Sequence, residues 1–284
     1  MIRGTQTRRL IHWLGIAPAV LTLGLFYVIP VGMLLSRSLF DPDFTLEHYE
    51  RIFNQSVYLD VLWITFEISL IVTALTLVMG YALAYAIYRA SNRLRLVLLA
   101  VVLFPFWTSL IVRTFTFIIL LQREGFVNDA LLSLGLITEP LQMVYNRTGV
   151  LIGMTYMLLP YMVLSIFSVL DRIDPIYQRV ATGMGASRLR AFASTVLPLS
   201  LPGVFVGSSL VFLLSLGFFI TPALLGGRTD QMIAMVIEDQ VNATLNWGFA
   251  SALSATLLIA TALFGGLLGI VGWMVRKRLN LGRV

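Results

Sequence analysis

Residues 61–88 read VLWITFEISLIVTALTLVMGYALAYAIY, and the only charged side chain in this stretch is Glu67. A membrane-spanning helix needs about 20 predominantly apolar residues, so the run is long enough to cross a bilayer. Further apolar runs of similar length occur on both sides of it. The six predicted spans cover approximately residues 11–35, 61–88, 96–121, 148–170, 203–225 and 248–274.

The composition supports a membrane protein and excludes two other classes. The 284 residues are 58% hydrophobic and only 12% charged, with a mean hydropathy of +0.88. A soluble domain carries about 25% charged residues, and a disordered chain is poorer in apolar residues. The absence of cysteine excludes disulfides and thiolate metal sites. We therefore predict an all-α membrane protein with a single transmembrane domain over residues 1–284 and no metal site.

The distribution of basic residues predicts the orientation. Fourteen of the 20 basic residues lie in the N-terminus, the C-terminus, the 89–95 connection and the 171–202 connection. The alternate loops hold five, and Arg113 lies within the third span. Basic residues are enriched in cytoplasmic loops, so both termini are predicted to be cytoplasmic. The same bias explains the basic pI of about 9.9 without a nucleic-acid partner, since no dense basic run is interleaved with aromatic residues.

The longest predicted cytoplasmic connection, 171–202, reads DRIDPIYQRVATGMGASRLRAFASTVLPLSLP. Asp174 followed by Pro175 is typical of a helix start, and we expect a helix from Ile176 to Met184. Gly185 then ends or bends it, and a second short helix starts at 186–187. Pro198 and Pro202 are expected to mark the return into the fifth span.

This connection resembles the conserved cytoplasmic loop of binding-protein-dependent ABC importer permeases. That loop has the pattern Glu-Ala-Ala, three residues, Gly, nine residues, an aliphatic residue, any residue and Leu-Pro. The positions that match it are Ala181, Gly185, Leu197 and Pro198. The positions that depart from it are Arg179 at the Glu, Val180 at the first Ala and Thr195 at the aliphatic position.

Other segments are similar to permeases of the spermidine/putrescine type. They are 104–108 (FPFWT), 159–161 (LPY), 221–227 (TPALLGG) and 246–250 (NWGFA). The resemblance covers roughly residues 60–275. It implies the type I ABC importer permease fold and a multi-pass location in the bacterial inner membrane. It also implies uptake of a small polar solute, with polyamines or related organic cations as the best match.

The resemblance further implies partners. Such a permease lies in the lipid bilayer with a second permease subunit, two ATPase subunits and a periplasmic solute-binding protein. The cytoplasmic loop contacts the ATPase, and its expected contact residues are Arg179, Val180, Ala181, Gly185, Ala186, Ser187, Leu197 and Pro198. A P-loop requires a Gly-Lys-Ser/Thr sequence, and the one lysine, Lys277, lies in Arg-Lys-Arg. ATP and Mg²⁺ are therefore expected on partner subunits, and no cofactor or enzymatic activity is expected on this chain.

Five residues are candidates for the substrate pathway. Glu67 and Arg113 lie within predicted spans, where ionisable groups are costly unless they are paired or face water. They either form a structural pair at similar depth or contribute to the pathway. Glu238 and Asp239 either attract a cation at the outer mouth or lie on a solvated face. Trp107 either contacts an amine by a cation–π interaction or packs in the bilayer.

The sequence is also compared with two other functional classes. An ion-coupled secondary transporter would favour inverted repeats and broken helices. An intramembrane enzyme would require a catalytic constellation at membrane depth, such as Ser with His. Within the ABC importers, an amino acid derivative, an opine or ferric ion is an alternative substrate.

Overall fold

The computed structural model describes residues 17–41 and 43–278. Over these residues the chain is helical, with short connections. The helices are α1 (Ala17–Arg37), α2 (Glu47–Asn54), α3 (Ser56–Arg89), α4 (Asn92–Leu103), α5 (Leu110–Leu121), α6 (Phe126–Ser133), α7 (Arg147–Leu170), α8 (Ile176–Gly183), α9 (Arg188–Leu216), α10 (Ile220–Leu225), α11 (Ile233–Asn242) and α12 (Trp247–Arg278).

Five helices among the described residues are long and apolar enough to cross a membrane: α1, α3, α7, α9 and α12. A sixth span results if α4 and α5 count as one broken span. The all-α membrane class is therefore confirmed, and the number of spans depends on this bent pair. The predicted first span begins at residue 11, so its residues 11–16 lie outside the described part of the chain, as do the outermost terminal arginines.

The helices form two compact units. In one unit, which contains residues 1–56 and 237–284, α1 and α2 pack against α12. In the other unit, which contains residues 57–236, α7 is the central helix. Its side chains at Met154, Leu158, Met162 and Ile166 are completely buried.

Two glycines allow α9 to approach α7 closely. A Cβ atom at Gly203 would lie 3.0 Å from the carbonyl oxygen of Ser165, and one at Gly207 would lie 2.9 Å from Sδ of Met162. On the third helix of this core, a Cβ at Gly80 of α3 would lie 2.7 Å from Cγ of Met162. Gly203 and Gly207 form a Gly-x-x-x-Gly motif, which brings helix backbones together where the hydrophobic effect does not act between spans.

The third predicted span, 96–121, is not one straight helix in the structure. After α4, a 3₁₀ turn covers Phe104–Trp107, and the following helix axis departs by 104°. Pro105 lies in this turn, and Thr108 has extended backbone. Phe104, directly before the proline, stays helical, and the chain changes direction after the turn, where Thr108 and Ser109 leave helical backbone. This change of direction explains why an uninterrupted apolar run does not form one helix.

The fifth predicted span, 203–225, also has different bounds. The helix begins at Arg188 and continues without a break to Leu216, and α10 forms a separate helix. Pro198 and Pro202, expected to mark the return into the fifth span, therefore lie inside one continuous helix. A π-helical turn at Phe192–Val196 comes immediately before Leu197 and Pro198, and the Leu197 N–H donates to the carbonyl of Phe192.

In a regular α-helix the proline ring contacts the carbonyl group four residues before it. The wider winding of the π turn moves this carbonyl away from the ring. The same arrangement occurs in α1, where a π turn at Gly24–Val28 precedes Ile29 and Pro30. In both helices the local change in winding lets the chain pass through a proline and remain helical.

We predict that Gly203→Val lowers the stability of the protein, because the added side chain meets the α7 backbone rather than a flexible side-chain end. Overpacking of this kind costs about 1–3 kcal/mol. The midpoint of thermal unfolding in detergent measures the effect. Gly266→Val in α12 is the matched control, since nothing lies within 4 Å of an added Cβ there. Equal midpoints for the two variants would contradict a tight α7–α9 contact.

Candidate coupling surface and transport pathway

The predicted helix at Ile176 is confirmed. Oδ1 of Asp174 accepts a hydrogen bond from the Ile176 N–H at 2.8 Å, and Pro175 occupies the N-cap position. Asp174 lies one residue before this N-cap, and its side-chain oxygen satisfies one of the free donors of the first turn. The helix ends at Gly183, one residue before the predicted end.

Gly185 reverses the chain after α8. Its φ is +89°, in the left-handed region that favours glycine. The Gly185 N–H donates to the carbonyl of Thr182 at 3.0 Å, and the Ala186 N–H donates to the carbonyl of Ala181 at 3.1 Å. These two hydrogen bonds are those of a Schellman motif, which closes a helix C-terminus. The predicted break at Gly185 is thus confirmed, together with its physical cause.

Ser187 starts the next helix. Its Oγ accepts a hydrogen bond from the Arg190 N–H at 3.3 Å, as an N-cap side chain does. The two helices therefore meet at a short turn, 184–187, with defined bonds on both sides. Leu197 and Pro198, predicted within the same loop, lie instead inside α9, beyond its π turn.

The outer face of α8 is apolar and exposed. Val180 is 54% exposed and Met184, directly after the helix, is 83% exposed. Ile176 and Tyr177 are also exposed, and they lie about one turn before Val180. Arg179 is exposed beside them, whereas Ala181 is half-buried. A contiguous apolar surface of this kind is typical of a protein–protein contact.

Glu67 forms an ion pair with Arg147 and not with Arg113, the partner in one of the two alternatives. Its Oε2 lies 2.7 Å from Nη2 of Arg147, and both side chains are 38% exposed. Arg147 is the first residue of α7, so the pair links the start of that helix to α3. Arg113 is not within ion-pair distance of Glu67. The bend after Trp107 places Arg113 in the first turn of α5, and not at the matching depth of a straight span.

The bend itself exposes aromatic side chains. Trp107 is 77% exposed, whereas Phe106 packs edge-to-face on Tyr161 of α7, with ring centroids 5.1 Å apart. Among the described residues, the Nε atom of Arg113 is buried without a hydrogen-bond partner. Phe106 therefore packs against α7, whereas the Trp107 ring is exposed.

Glu238 and Asp239 lie on α11, in the unit that contains α1, α2 and α12. Both side chains are exposed, and Nδ2 of Asn242 donates to Oε1 of Glu238 at 3.0 Å. Neither acid forms an ion pair with an arginine among the described residues. No cluster of three or more metal-ligating side chains occurs in the described ranges.

Sequence reasoning missed three features of this region. They are the Glu67–Arg147 ion pair, the Arg95–Asp171 ion pair at 2.7 Å, and the glycine contacts of α9 with α7. The Gly-x-x-x-Gly pattern at 203–207 is visible in the sequence and was a usable signal. Neither ion pair joins residues close in sequence, so no local pattern identifies them.

Comparisons with known proteins agree with this geometry. Residues 76–279 match the family described as binding-protein-dependent transport system inner membrane component. The spermidine/putrescine transport system permease protein PotB of Escherichia coli (strain K12) is 33% identical over 266 residues, which cover 91% of this chain and 95% of that protein.

Two solved structures share the fold. One is a bacterial ABC transporter involved in the import of the acidic polysaccharide alginate, with a TM-score of 0.75, 16% identity and coverage of 97% of this chain and 98% of that chain. The other is a bacterial alginate ABC transporter in complex with an alginate pentasaccharide-bound periplasmic protein, with a TM-score of 0.73, 15% identity and coverage of 92% and 93%. The family match and the identity to PotB show that this multi-pass inner-membrane protein belongs to the binding-protein-dependent transport system inner membrane components, the permeases of ABC importers.

Proposed function

We propose that the chain is the permease subunit of an ATP-driven importer for polyamines or a related small organic cation. The observation that carries the mechanism is the exposed apolar face of α8 beside the Gly185 turn. The similarity to spermidine/putrescine permeases over nearly the whole chain supports the substrate class.

The proposed assembly contains a second permease subunit, two ATPase subunits and a periplasmic solute-binding protein. The chain supplies no P-loop lysine, so ATP and Mg²⁺ bind to the ATPase subunits. The basic connections and both termini face the cytoplasm, which places α8 against the ATPase. The relative in complex with a periplasmic protein supports a binding protein on the opposite side.

In this mechanism α8 transmits motion because its two ends are held. Asp174 fixes its start, and the Schellman motif at Gly185 fixes its end. The following helix is α9, which has membrane length, so a displacement of α8 passes across the short turn at 184–187 without a long flexible loop. ATP shifts the equilibrium between inward-open and outward-open states by binding better to one of them.

Among the candidate pathway residues, Glu238 and Asp239 carry charges that attract a cationic substrate, whereas Arg113 carries a charge that repels it. Glu238 and Asp239 provide exposed negative charge on α11, which attracts a polyamine over a range of several ångströms. The negative charge of Glu67 is compensated by its ion pair with Arg147. Arg113 carries a positive charge, which opposes a cationic substrate at that position. Trp107 is exposed and offers a ring face to an amine.

Uptake of radiolabelled spermidine by proteoliposomes that hold the complete assembly tests the proposal. We expect uptake to require ATP on the side of the ATPase subunits and the binding protein on the other side. Uptake that follows an ion gradient and persists without ATPase subunits would identify a secondary transporter instead. Uptake of an amino acid derivative, an opine or ferric ion in place of spermidine would reassign the substrate alone.

We predict that Gly185→Val uncouples transport from ATP hydrolysis in the same proteoliposomes. A β-branched residue at φ +89° is strained by about 1–2 kcal/mol, so the turn between α8 and α9 opens. We expect spermidine uptake per ATP hydrolysed to fall severalfold. Gly183→Ala is the matched control, because an added Cβ meets nothing within 4 Å at either position and only Gly185 has a positive φ. Unchanged uptake by Gly185→Val would refute the role of the turn.

We predict that the double variant Glu238→Gln, Asp239→Asn lowers uptake of spermidine more than uptake of a zwitterionic amine. The two carboxylates attract a polycation more strongly than a neutral solute, and the effect should weaken as the salt concentration rises. Initial uptake rates over a salt series measure it. Glu47→Gln, Glu50→Gln is the matched control, since it removes two exposed charges from α2. Equal effects of the two pairs would leave Glu238 and Asp239 as ordinary surface charges.

A further inference from the structure

A cleft of about 950 Å³ lies between the last turns of α3 and the coupling helix α8. The beginning of α9 forms its third side. The whole cleft belongs to the compact unit of residues 57–236. Its lining divides into an aromatic part and a cationic part.

The aromatic part is held rigidly. Tyr85 packs edge-to-face on Phe192 with ring centroids 4.9 Å apart, and Tyr81 packs on the same ring at 6.0 Å. The Tyr81 hydroxyl lies 2.8 Å from Oγ of Ser200, and the Tyr88 hydroxyl donates to the carbonyl of Ile173 at 3.1 Å. The hydroxyl groups of Tyr81 and Tyr88 are therefore hydrogen-bonded, and the tyrosine rings form a rigid wall of the cleft.

The cationic part consists of Arg89, Arg179 and Arg188. All three are exposed, and none lies within ion-pair distance of a carboxylate among the described residues. Nη1 of Arg89 donates to Oε1 of Gln178 at 3.2 Å, which orients the guanidinium and leaves its charge uncompensated. The nearby carboxylate of Asp174 accepts from the α8 backbone instead.

The depth of the cleft follows from α3. No charged residue lies between Glu67 and Arg89, and at 1.5 Å per residue they are about 33 Å apart. The hydrocarbon core of a bilayer is about 30 Å thick. These two charges thus bracket the core, and Arg89 lies at the level of the headgroups, where tyrosine rings are also enriched.

We propose that this cleft binds the phosphate headgroup of an anionic phospholipid from the cytoplasmic leaflet. The guanidinium groups bind phosphate oxygens as planar two-pronged donors, and the tyrosine wall contacts the apolar part next to the headgroup. Basic pockets beside spanning helices on this side of a membrane are suited to such headgroups. The depth of Arg89 favours a lipid over an acidic segment of a soluble subunit.

This lipid site rests on the proposed function in one respect, because it requires the orientation that places α8 on the cytoplasmic side. It adds a role for that helix, since Arg179 and Gln178 of α8 line the cleft. A bound headgroup joins α8 to the end of α3 and stiffens the coupling surface that the ATPase contacts.

Native mass spectrometry of the full chain in neutral detergent tests the proposal with phosphatidylglycerol and phosphatidylcholine as probes. We expect retention of phosphatidylglycerol alone. Arg89→Gln and Arg188→Gln should each weaken its binding about fivefold, the effect of about 1 kcal/mol per arginine at a membrane surface. Arg172→Gln and Arg190→Gln are the matched controls, since both arginines are exposed in the same connection and outside the cleft lining.

Equal losses in all four variants would overturn the site in favour of unspecific attraction. Equal binding of glycerol 3-phosphate or inorganic phosphate would assign the cleft to a soluble phosphate. Displacement of phosphatidylglycerol by added ATPase subunits would show that the cleft belongs to the ATPase interface and would overturn the lipid site as well. This experiment measures lipid binding and not transport. Absence of lipid binding therefore does not affect the uptake experiment, and a chain that fails in uptake can still be tested for lipid binding.

Discussion

The close contact between α7 and α9 is the constraint on which the rest of this unit depends. Gly203 and Gly207 place the α9 backbone directly against α7, and a Cβ at either position would meet atoms at or below 3.0 Å. Apolar side chains gain little by leaving lipid for a helix interface, so close packing must supply the attraction between spans. Met162, enclosed between Gly80 and Gly207, shows how the third helix joins the same contact.

This contact determines how α8 is presented. The chain leaves α7 at Leu170 and enters α9 at Arg188, so the ends of the connection belong to two helices that are packed together. The Arg95–Asp171 ion pair fixes the first end to α4. Between these ends, the Asp174 cap and the Gly185 turn leave α8 with few conformations. The proposed transmission of force depends on this rigidity.

Because α9 is continuous, a displacement of α8 reaches the membrane across a short connection. A flexible loop before a separate span would absorb a displacement of α8. The π turn at Phe192–Val196 instead carries the helix through Pro198, so the short turn at 184–187 is all that separates α8 from the membrane-length helix.

Much of the fold could be predicted because it depends on composition and local chemistry. The long apolar run at 61–88 identifies a spanning helix, and Asp174, Gly185 and Ser187 determine the loop helices through caps that involve neighbouring residues only. The bend after Trp107 and the merging of the loop helix into α9 could not be predicted, because they depend on how winding adjusts around Pro105 and Pro198. The Glu67–Arg147 pair depends on how distant helices pack, and hydropathy does not report that packing.

We propose that the exposed face of α8 is the surface that contacts the ATPase. The chain lacks cysteine, so a single cysteine at Val180 can be labelled with a maleimide without background. Leu136→Cys, also strongly exposed but outside the connection, serves as the reference. We predict that added ATPase subunits slow labelling at position 180 and leave position 136 unchanged. Equal labelling rates at position 180 with and without the ATPase would contradict it.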